Sequence, residues 1–399
     1  MSILEDIFAK IMESKIFKNR DLLKPDYIPD KLPHREREII KLGSLLAPAL
    51  KGDRPSNVFI YGLTGTGKTA VTKYVARKLE ESAKKFNAKV RFSYVNCRQN
   101  DTPYRVLVEL CESIGVKVPF TGIPTAEVWR RFTRGLENLC TQMIVILDEL
   151  DCLVKKHGDD ILYRLTRANE NLKNSQISLI GITNDLRLND FLDPRIRSSL
   201  GEVEIVFPPY NAMQLEDILL ERAKKAFYEG ALDDGVISLC SALAAREHGD
   251  ARKALDLLRV AGELAEQEGA EKVTIKHVWE ARDELEKDKV SEIVRTMPLH
   301  GKLVLLSILK LERKKNKPPT SGELYSTYRS LCSLLDVAPL TSRRISDIVN
   351  ELDMLGLVTA KIVNRGRYGR TKIVKLNVQH RFLEDVIAEE QRLKDVIKR

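Results

Sequence analysis

Nowhere does the chain carry the roughly 20 consecutive apolar residues that a membrane-spanning helix requires, and no segment reads as a transmembrane span. The start, Met1-Ser2-Ile3-Leu4-Glu5-Asp6, lacks the basic and apolar regions of a secretory signal, so a cytosolic protein is expected. Six cysteines at 97, 111, 140, 152, 240 and 332 form no C-x-x-C pair, and none stands beside a histidine at zinc-ligand spacing. Buried, reduced thiols are the expectation. There is no internal repeat and no low-complexity tract.

What is present suits two or three globular domains: 399 residues, 31% charged and 43% hydrophobic. The net charge of +9 is unevenly placed, because residues 299–399 hold 20 Lys/Arg against 11 Asp/Glu and so account for all of it. A neutral body with a basic last quarter points to a nucleic-acid-binding module at the C-terminus.

The most specific pattern is Gly62-Leu63-Thr64-Gly65-Thr66-Gly67-Lys68-Thr69, a full match to the phosphate-binding loop G-x-x-x-x-G-K-[ST]. An apolar run, Val58–Tyr61, leads in as a buried strand, and a helical pattern with Val71, Tyr74, Val75 and Leu79 leads out. Gly62, Thr64, Gly65, Thr66 and Gly67 are expected to wrap their backbone around the phosphates of ATP or ADP. Lys68 would reach the β- and γ-phosphates and the Thr69 hydroxyl would ligate Mg²⁺.

Further strands are predicted at Val90–Val95, Ile144–Leu147, Ile177–Ile182 and Val203–Phe207, alternating with helices, which implies a parallel α/β sheet. The third of the five strands delivers Asp148-Glu149, the Walker B arrangement: Asp148 for the Mg²⁺ shell, Glu149 to polarise the attacking water. Asn184, at the end of the next strand, is a candidate sensor of the γ-phosphate; a turn-capping Asn is the plainer alternative. Pro208-Pro209 closes this region, and residues 211–288 read as helical, with a charged stretch Glu284–Lys289 leading toward Pro298. Before the sheet, a helical pattern opens residues 1–50, and Pro25, Pro29 and Pro33 mark an extended lead-in.

Beyond Pro298 the pattern predicts three helices and a hairpin, the outline of a winged helix-turn-helix. The helices are Lys302–Arg313, a second started by a Thr320/Glu323 capping box, and a third capped by Thr341 or Ser342 and ended at Gly356. The β-like runs Leu357–Val363 and Lys372–Leu376 flank Asn364–Arg370. Ser342, Arg343 and Arg344 open the third helix, where base edges are read, with phosphate contact as the alternative role. Arg365, Arg367, Tyr368, Arg370 and Lys372 arm the wing for a groove or a phosphate track, and Lys314–Lys317 adds a basic loop.

The order of these motifs, with Asp193-Pro194-Arg195-Ile196-Arg197-Ser198-Ser199 and a later Gly249-Asp250-Ala251-Arg252, resembles an AAA+ ATPase. More narrowly, Leu32-Pro33-His34-Arg35-Glu36-Arg37-Glu38, Gly181-Ile182-Thr183-Asn184-Asp185 and Pro209-Tyr210-Asn211-Ala212 resemble the archaeal origin-recognition replication initiators. The resemblance implies that Arg252 is a sensor arginine carried on a helical lid to the γ-phosphate; a surface ion pair with Asp250 or Asp256 is the alternative. It implies Tyr210 and Arg222 as nucleotide contacts near the lid hinge, although Tyr210 reads equally as a packing aromatic. Arg195 and Arg197 lie where an arginine finger is kept, with a salt bridge or phosphate contact as the plain role. In that family the long insertion between the second and third strands touches DNA. Arg98, Arg130, Arg131 and Arg134 fit loosely, while Trp129 and Phe132 could equally pack against the sheet.

The expected architecture is an α/β AAA+ parallel-sheet domain with an N-terminal extension (1–207), an all-helical lid (208–296) and a winged-helix domain (297–399). The expected function is an ATP-dependent initiator that binds double-stranded origin DNA through the winged helix and the ATPase domain, in the nucleoid. Slow Mg²⁺-dependent hydrolysis would act as a switch. The resemblance further implies recruitment of the replicative helicase and a second initiator molecule on DNA. A branch-migration motor and an ATP-gated transcription regulator are the rival readings.

Overall fold

The computed structural model describes residues 15–119, 121–200, 203–315, 317–364 and 370–398. The chain divides into two compact units, residues 1–279 and 280–399.

The first unit is built on five parallel strands: β1 (Val58–Gly62), β2 (Val90–Asn96), β3 (Gln142–Asp148), β4 (Gln176–Thr183) and β5 (Val203–Phe207), in the order β2-β3-β4-β1-β5. Each expected strand is present: β5 has the expected bounds, and the other four extend by one to three residues where the ladder continues past the run. Successive side chains on a strand point to opposite faces, and here both faces are covered. Phe59, Tyr61, Met143, Val145, Leu147, Ile177 and Leu179 face one core, with α3 (Pro103–Ser113), α4 (Thr125–Leu139), α5 (Leu150–His157) and α6 (Asp160–Arg167). Val58, Ile60, Ile144, Ile146, Ile180 and Ile182 face the other, with α1 (Glu36–Leu46) and α2 (Lys68–Phe86). Two-sided burial explains why the inner strands β1, β3 and β4 read as largely apolar runs, whereas the edge strands β2 and β5 keep the exposed Arg91 and Glu204. Each large side chain so buried contributes roughly 1.5–3 kcal/mol.

In the inserted pair α3 and α4, Phe132 is fully buried and Trp129 packs against the same core, while Arg130 and Arg131 are exposed and paired with Glu127. The packing role of the two aromatics is therefore the one observed. A short helix α7 (Pro194–Leu200) precedes β5. The lid follows: α8 (Ala212–Ala226), begun by an Asn211/Gln214 capping box, then α9 (Val236–Arg246), α10 (Ala251–Glu268) and α11 (Ile275–Thr296). The charged stretch Glu284–Lys289 lies inside α11, within which the two units meet in sequence.

Residues 15–33 form a strap on the lid. Ile16 is buried, the Phe17 and Phe227 rings meet at a 31° tilt with centroids 4.7 Å apart, and Arg20 pairs with the buried Glu266 at 3.0 Å. The expected opening helical pattern falls on residues 1–14, outside the described part; a 3₁₀ turn at Arg20–Leu23 precedes the proline-marked lead-in, and α1 follows it.

The second unit has α12 (Leu299–Lys315), α13 (Ser321–Leu334), α14 (Ser342–Met354), the antiparallel hairpin β6 (Val358–Asn364) and β7 (Arg370–Leu376), then α15 (His380–Ala388) and α16 (Gln391–Lys398). The Thr320/Glu323 capping box is formed, and Thr341 rather than Ser342 caps α14. Three helices and a hairpin share one core through Leu305, Tyr328, Ile348, Leu352 and Val374.

Candidate nucleotide site and nucleic-acid interface

In a parallel sheet the carboxyl ends of all strands lie along one edge, and loops leaving that edge converge. Here β1 delivers the phosphate-binding loop, β3 delivers Asp148 and Glu149, and β4 delivers Thr183 and Asn184. Between the sheet edge, the lid and the strap lies a cavity of about 300 Å³. Thr64, Gly65, Thr66, Gly67, Lys68, Thr69, Asp148, Glu149, Asn184, Tyr210, Arg222 and Arg252 all line it, residues scattered over nearly 190 positions of sequence. Gly62 sits beneath the loop, packed on Phe207.

The Lys68 ammonium donates to the carbonyls of Gly62 (2.8 Å) and Leu63 (2.7 Å) and to Oδ1 of Asn184 (2.8 Å). Asn184 is thus tied to the phosphate-loop lysine rather than capping a turn. Burial pushes Lys68 down to about 8; Asp148 opposes that and the nearby Arg252 adds to it. Thr69 Oγ1 donates to Asp148 Oδ2 at 2.7 Å, and the Tyr94 hydroxyl donates to the same oxygen at 2.8 Å. Burial beside Asp148 raises the Tyr94 phenol well above its ordinary value, so it stays protonated as a donor.

A hydroxyl and a buried carboxylate in contact form an oxygen donor set of the kind Mg²⁺ takes alongside nucleotide phosphates. Among the described residues no cluster of three or more His, Cys, Asp or Glu stands ready to hold a metal without such phosphates. Glu149 occupies the left-handed region at φ 52, unusual for a non-glycine residue, immediately after the strand end. Its carboxylate lies 3.9 Å from Arg98.

The lid meets the loop directly. Asp250 caps α10 by accepting from the N–H groups of Arg252 (2.8 Å) and Lys253 (3.4 Å), and the Ala251 N–H donates to the Gly65 carbonyl at 3.2 Å. Gly65 has φ +69, and a Cβ there would fall 1.7 Å from Asp250 Oδ1, so only glycine fits. Arg252 makes no ion pair among the described residues, and Asp256 is taken by Arg259 at 3.2 Å. The surface ion pair is therefore not how Arg252 is placed; it faces the cavity.

Arg222 donates to the carbonyls of Leu22 (2.7 Å) and Tyr27 (3.1 Å), with its guanidinium over the Tyr27 ring at 4.7 Å. It holds the strap that lines the cavity. Tyr210 is buried and stacks on the Arg35 guanidinium at 3.9 Å, so it packs the hinge while bordering the cavity. Arg195 and Arg197 are exposed on α7 and are not among the cavity-lining residues.

Sequence reasoning gave no role to Arg35 or Tyr94, and to Asp250 only that of an ion-pair partner for Arg252. Asp250 before a helical run carried a readable cap signal. Tyr94 and Arg35 gave none, because their partners come from other strands and loops.

On the second unit, Ser342, Arg343 and Arg344 are exposed at the start of α14, and Arg344 lies 3.9 Å from Glu351. Lys372 donates to Asn350 on the same helix, linking wing to helix. Arg365, Arg367 and Tyr368 lie outside the described residues; Arg370 begins β7. None of the helices described is long and apolar enough to cross a membrane.

Phosphate loop, acidic strand end, strand-end Asn, helical lid and C-terminal winged helix together define an AAA+ ATPase with an appended DNA-binding domain. Family models agree: "AAA domain" over residues 52–188, "Cdc6 AAA+ ATPase-type lid domain" over 216–283 and "CDC6, C terminal winged helix domain" over 292–386. The chain belongs to the family of ORC1-type DNA replication proteins, the archaeal origin-recognition initiators. It is 56% identical over 387 residues to ORC1-type DNA replication protein 1 of Sulfurisphaera tokodaii, covering 97% of this chain and 96% of the relative. It is 51% identical over 399 residues to the ORC1-type DNA replication protein of Thermococcus onnurineus, covering 99% and 96%. The structure of the Aeropyrum pernix ORC1 protein in complex with DNA is similar at TM-score 0.85 and 52% identity, covering 96% of this chain and all of that one.

Proposed function

We propose that this protein binds ATP between loop and lid, binds double-stranded origin DNA through the winged helix and the ATPase domain, and uses slow hydrolysis as a switch. One observation carries the nucleotide half: Lys68, the Thr69–Asp148 pair, Asn184 and Arg252 border one cavity although they come from four separate segments. Backbone N–H groups of the loop and the Lys68 ammonium receive the phosphates. Thr69 and Asp148 would hold Mg²⁺, which supplies charge neutralisation at the transferred phosphoryl group. Glu149 orients and deprotonates the attacking water, and Arg252 reports the γ-phosphate to the lid. Arg195 or Arg197, exposed on α7, would serve as a finger toward a second initiator molecule.

The DNA half is supported by the 52%-identical Aeropyrum pernix relative, whose structure contains DNA, and by the exposed Arg343 and Arg344 at the start of α14. Recruitment of the replicative helicase follows from the family alone.

The test is a genome-wide footprint paired with a purified-protein footprint, comparing the full chain with an Arg343→Ala/Arg344→Ala variant. Protection centred on a replication origin and weakened in the variant supports the initiator reading. Promoter-scattered sites would favour a regulator, and ATP-driven strand movement without a preferred site would favour a motor.

A further inference from the structure

The string Pro33-His34-Arg35 lies outside the phosphate loop and the acidic strand end, yet among the described residues Arg35 is the largest fully buried side chain, 2% exposed. Burying a guanidinium is expensive unless its donors are satisfied. Its Nε donates to the Thr66 carbonyl at 3.0 Å and its Nη2 to the Pro208 carbonyl at 2.6 Å. Its plane lies 3.9 Å from the centre of the Tyr210 ring and 5.5 Å from that of Phe207. Glu38 approaches only to 3.6 Å. Its Nη1 donates to the His34 carbonyl at 3.4 Å, and a planar fork stacked on one ring and bonded to three carbonyls has almost no freedom left.

The bond to Thr66 fixes more than one atom. In a trans peptide the carbonyl of one residue and the N–H of the next point in opposite directions. With the Thr66 carbonyl turned toward Arg35, the Gly67 N–H is turned away from it. Gly67 has φ +88, and glycine tolerates either orientation of this peptide at little cost. An unbraced loop could therefore present a carbonyl where a donor is needed.

The second arm of the fork holds Pro208, at the start of the hinge. From there Tyr210 N–H reaches the Gly249 carbonyl at 3.4 Å, next to the capping Asp250 that seats α10 on Gly65.

Resting on the nucleotide reading above, we propose that Arg35 is a positioning residue of the ATP site. It clamps the Thr66–Gly67 peptide with its N–H toward the phosphates and registers the lid hinge to the same loop, so that Lys68 and Arg252 converge on one anion.

The test uses the full-length protein and measures ADP and ATP affinity by displacement of a fluorescent ADP analogue. Arg35→Lys keeps the charge but not the fork, Arg35→Met keeps the bulk, and both are compared with Arg252→Ala and the Arg35→Lys/Arg252→Ala double variant. Arg35→Lys is expected to weaken both nucleotides roughly ten- to a hundredfold, the scale of a lost charge-assisted hydrogen bond. Its loss of preference between ATP and ADP should not add to that of Arg252→Ala in the double variant, because both act through the lid.

Should both Arg35 variants fail to fold, hydrogen exchange on the wild type decides: saturating ADP must slow exchange of the Gly67 amide. Unchanged affinity in Arg35→Lys, fully additive effects on the ATP preference, or an unprotected Gly67 amide would each overturn the proposal. Wild-type protein that binds neither nucleotide would instead sink the nucleotide reading itself.

Discussion

Raising the pH from 7 to 9 should weaken nucleotide binding by about tenfold through Lys68 alone. Its ammonium is buried among three neutral oxygen acceptors, and burial lowers it from 10.5 to about 8. Phosphate oxygens beside it would favour the charged form and return it to at least its ordinary value. The sign then follows. As pH rises through about 8 the free site loses its proton, whereas the bound site keeps it, so binding takes up a proton and affinity falls with pH.

At pH 9 about nine-tenths of free sites would be deprotonated, against about one-tenth at pH 7; the ratio corresponds to ~1.4 kcal/mol. Isothermal titration calorimetry with ADP, in buffers of different ionisation enthalpy, counts the protons directly. Uptake close to zero is expected at pH 7 and close to one at pH 9. Lys68→Arg, permanently charged, should abolish the difference. Equal affinity at both pH values with no proton uptake would refute the burial argument.

Glu149→Gln should leave ATP affinity within a few-fold while single-turnover hydrolysis falls roughly 10²- to 10⁴-fold, the usual contribution of a general base; a variant that still hydrolyses ATP at the wild-type rate would remove Glu149 from the chemistry. Gly65→Ala places a Cβ on Asp250 at φ +69. Urea denaturation should show about 1–2 kcal/mol lost to the left-handed backbone and about 1 kcal/mol more if the α10 cap is displaced, and nucleotide binding should weaken with it. Arg343→Ala with Arg344→Ala should lower DNA affinity and, if both arginines contact phosphates, reduce the slope of log affinity against log salt by about 1.8; an unchanged slope would mean that they read bases or solvent. Arg222→Ala should free the strap from Leu22 and Tyr27, and stopped-flow displacement should show faster ADP release.

Much of the architecture was legible because it is written in local patterns. Largely apolar runs announced β1, β3 and β4, since strands covered on both faces need little that is polar within them, while β2 and β5, which carry Arg91 and Glu204, were read from mixed runs. The capping box at Thr320/Glu323 was readable because its partners are three residues apart. The helical reading of residues 211–288 fell short only at its end: the helix runs on through the charged stretch Glu284–Lys289 to Thr296, because flanking Val290 and Val294 pack in the core.

By itself the sequence determined the strand–loop–helix phosphate site, the acidic strand end and the basic wing. In each of these the chemistry lies in residues close together along the chain. Tertiary structure alone decided what Arg35, Tyr94 and Arg222 do. Each meets a partner at least 30 positions away: Thr66 and Pro208 for Arg35, Asp148 for Tyr94, the strap carbonyls for Arg222. A buried guanidinium or carboxylate is tolerated only where the fold supplies its hydrogen-bond partners, and no local spacing encodes where a distant loop will place its carbonyl.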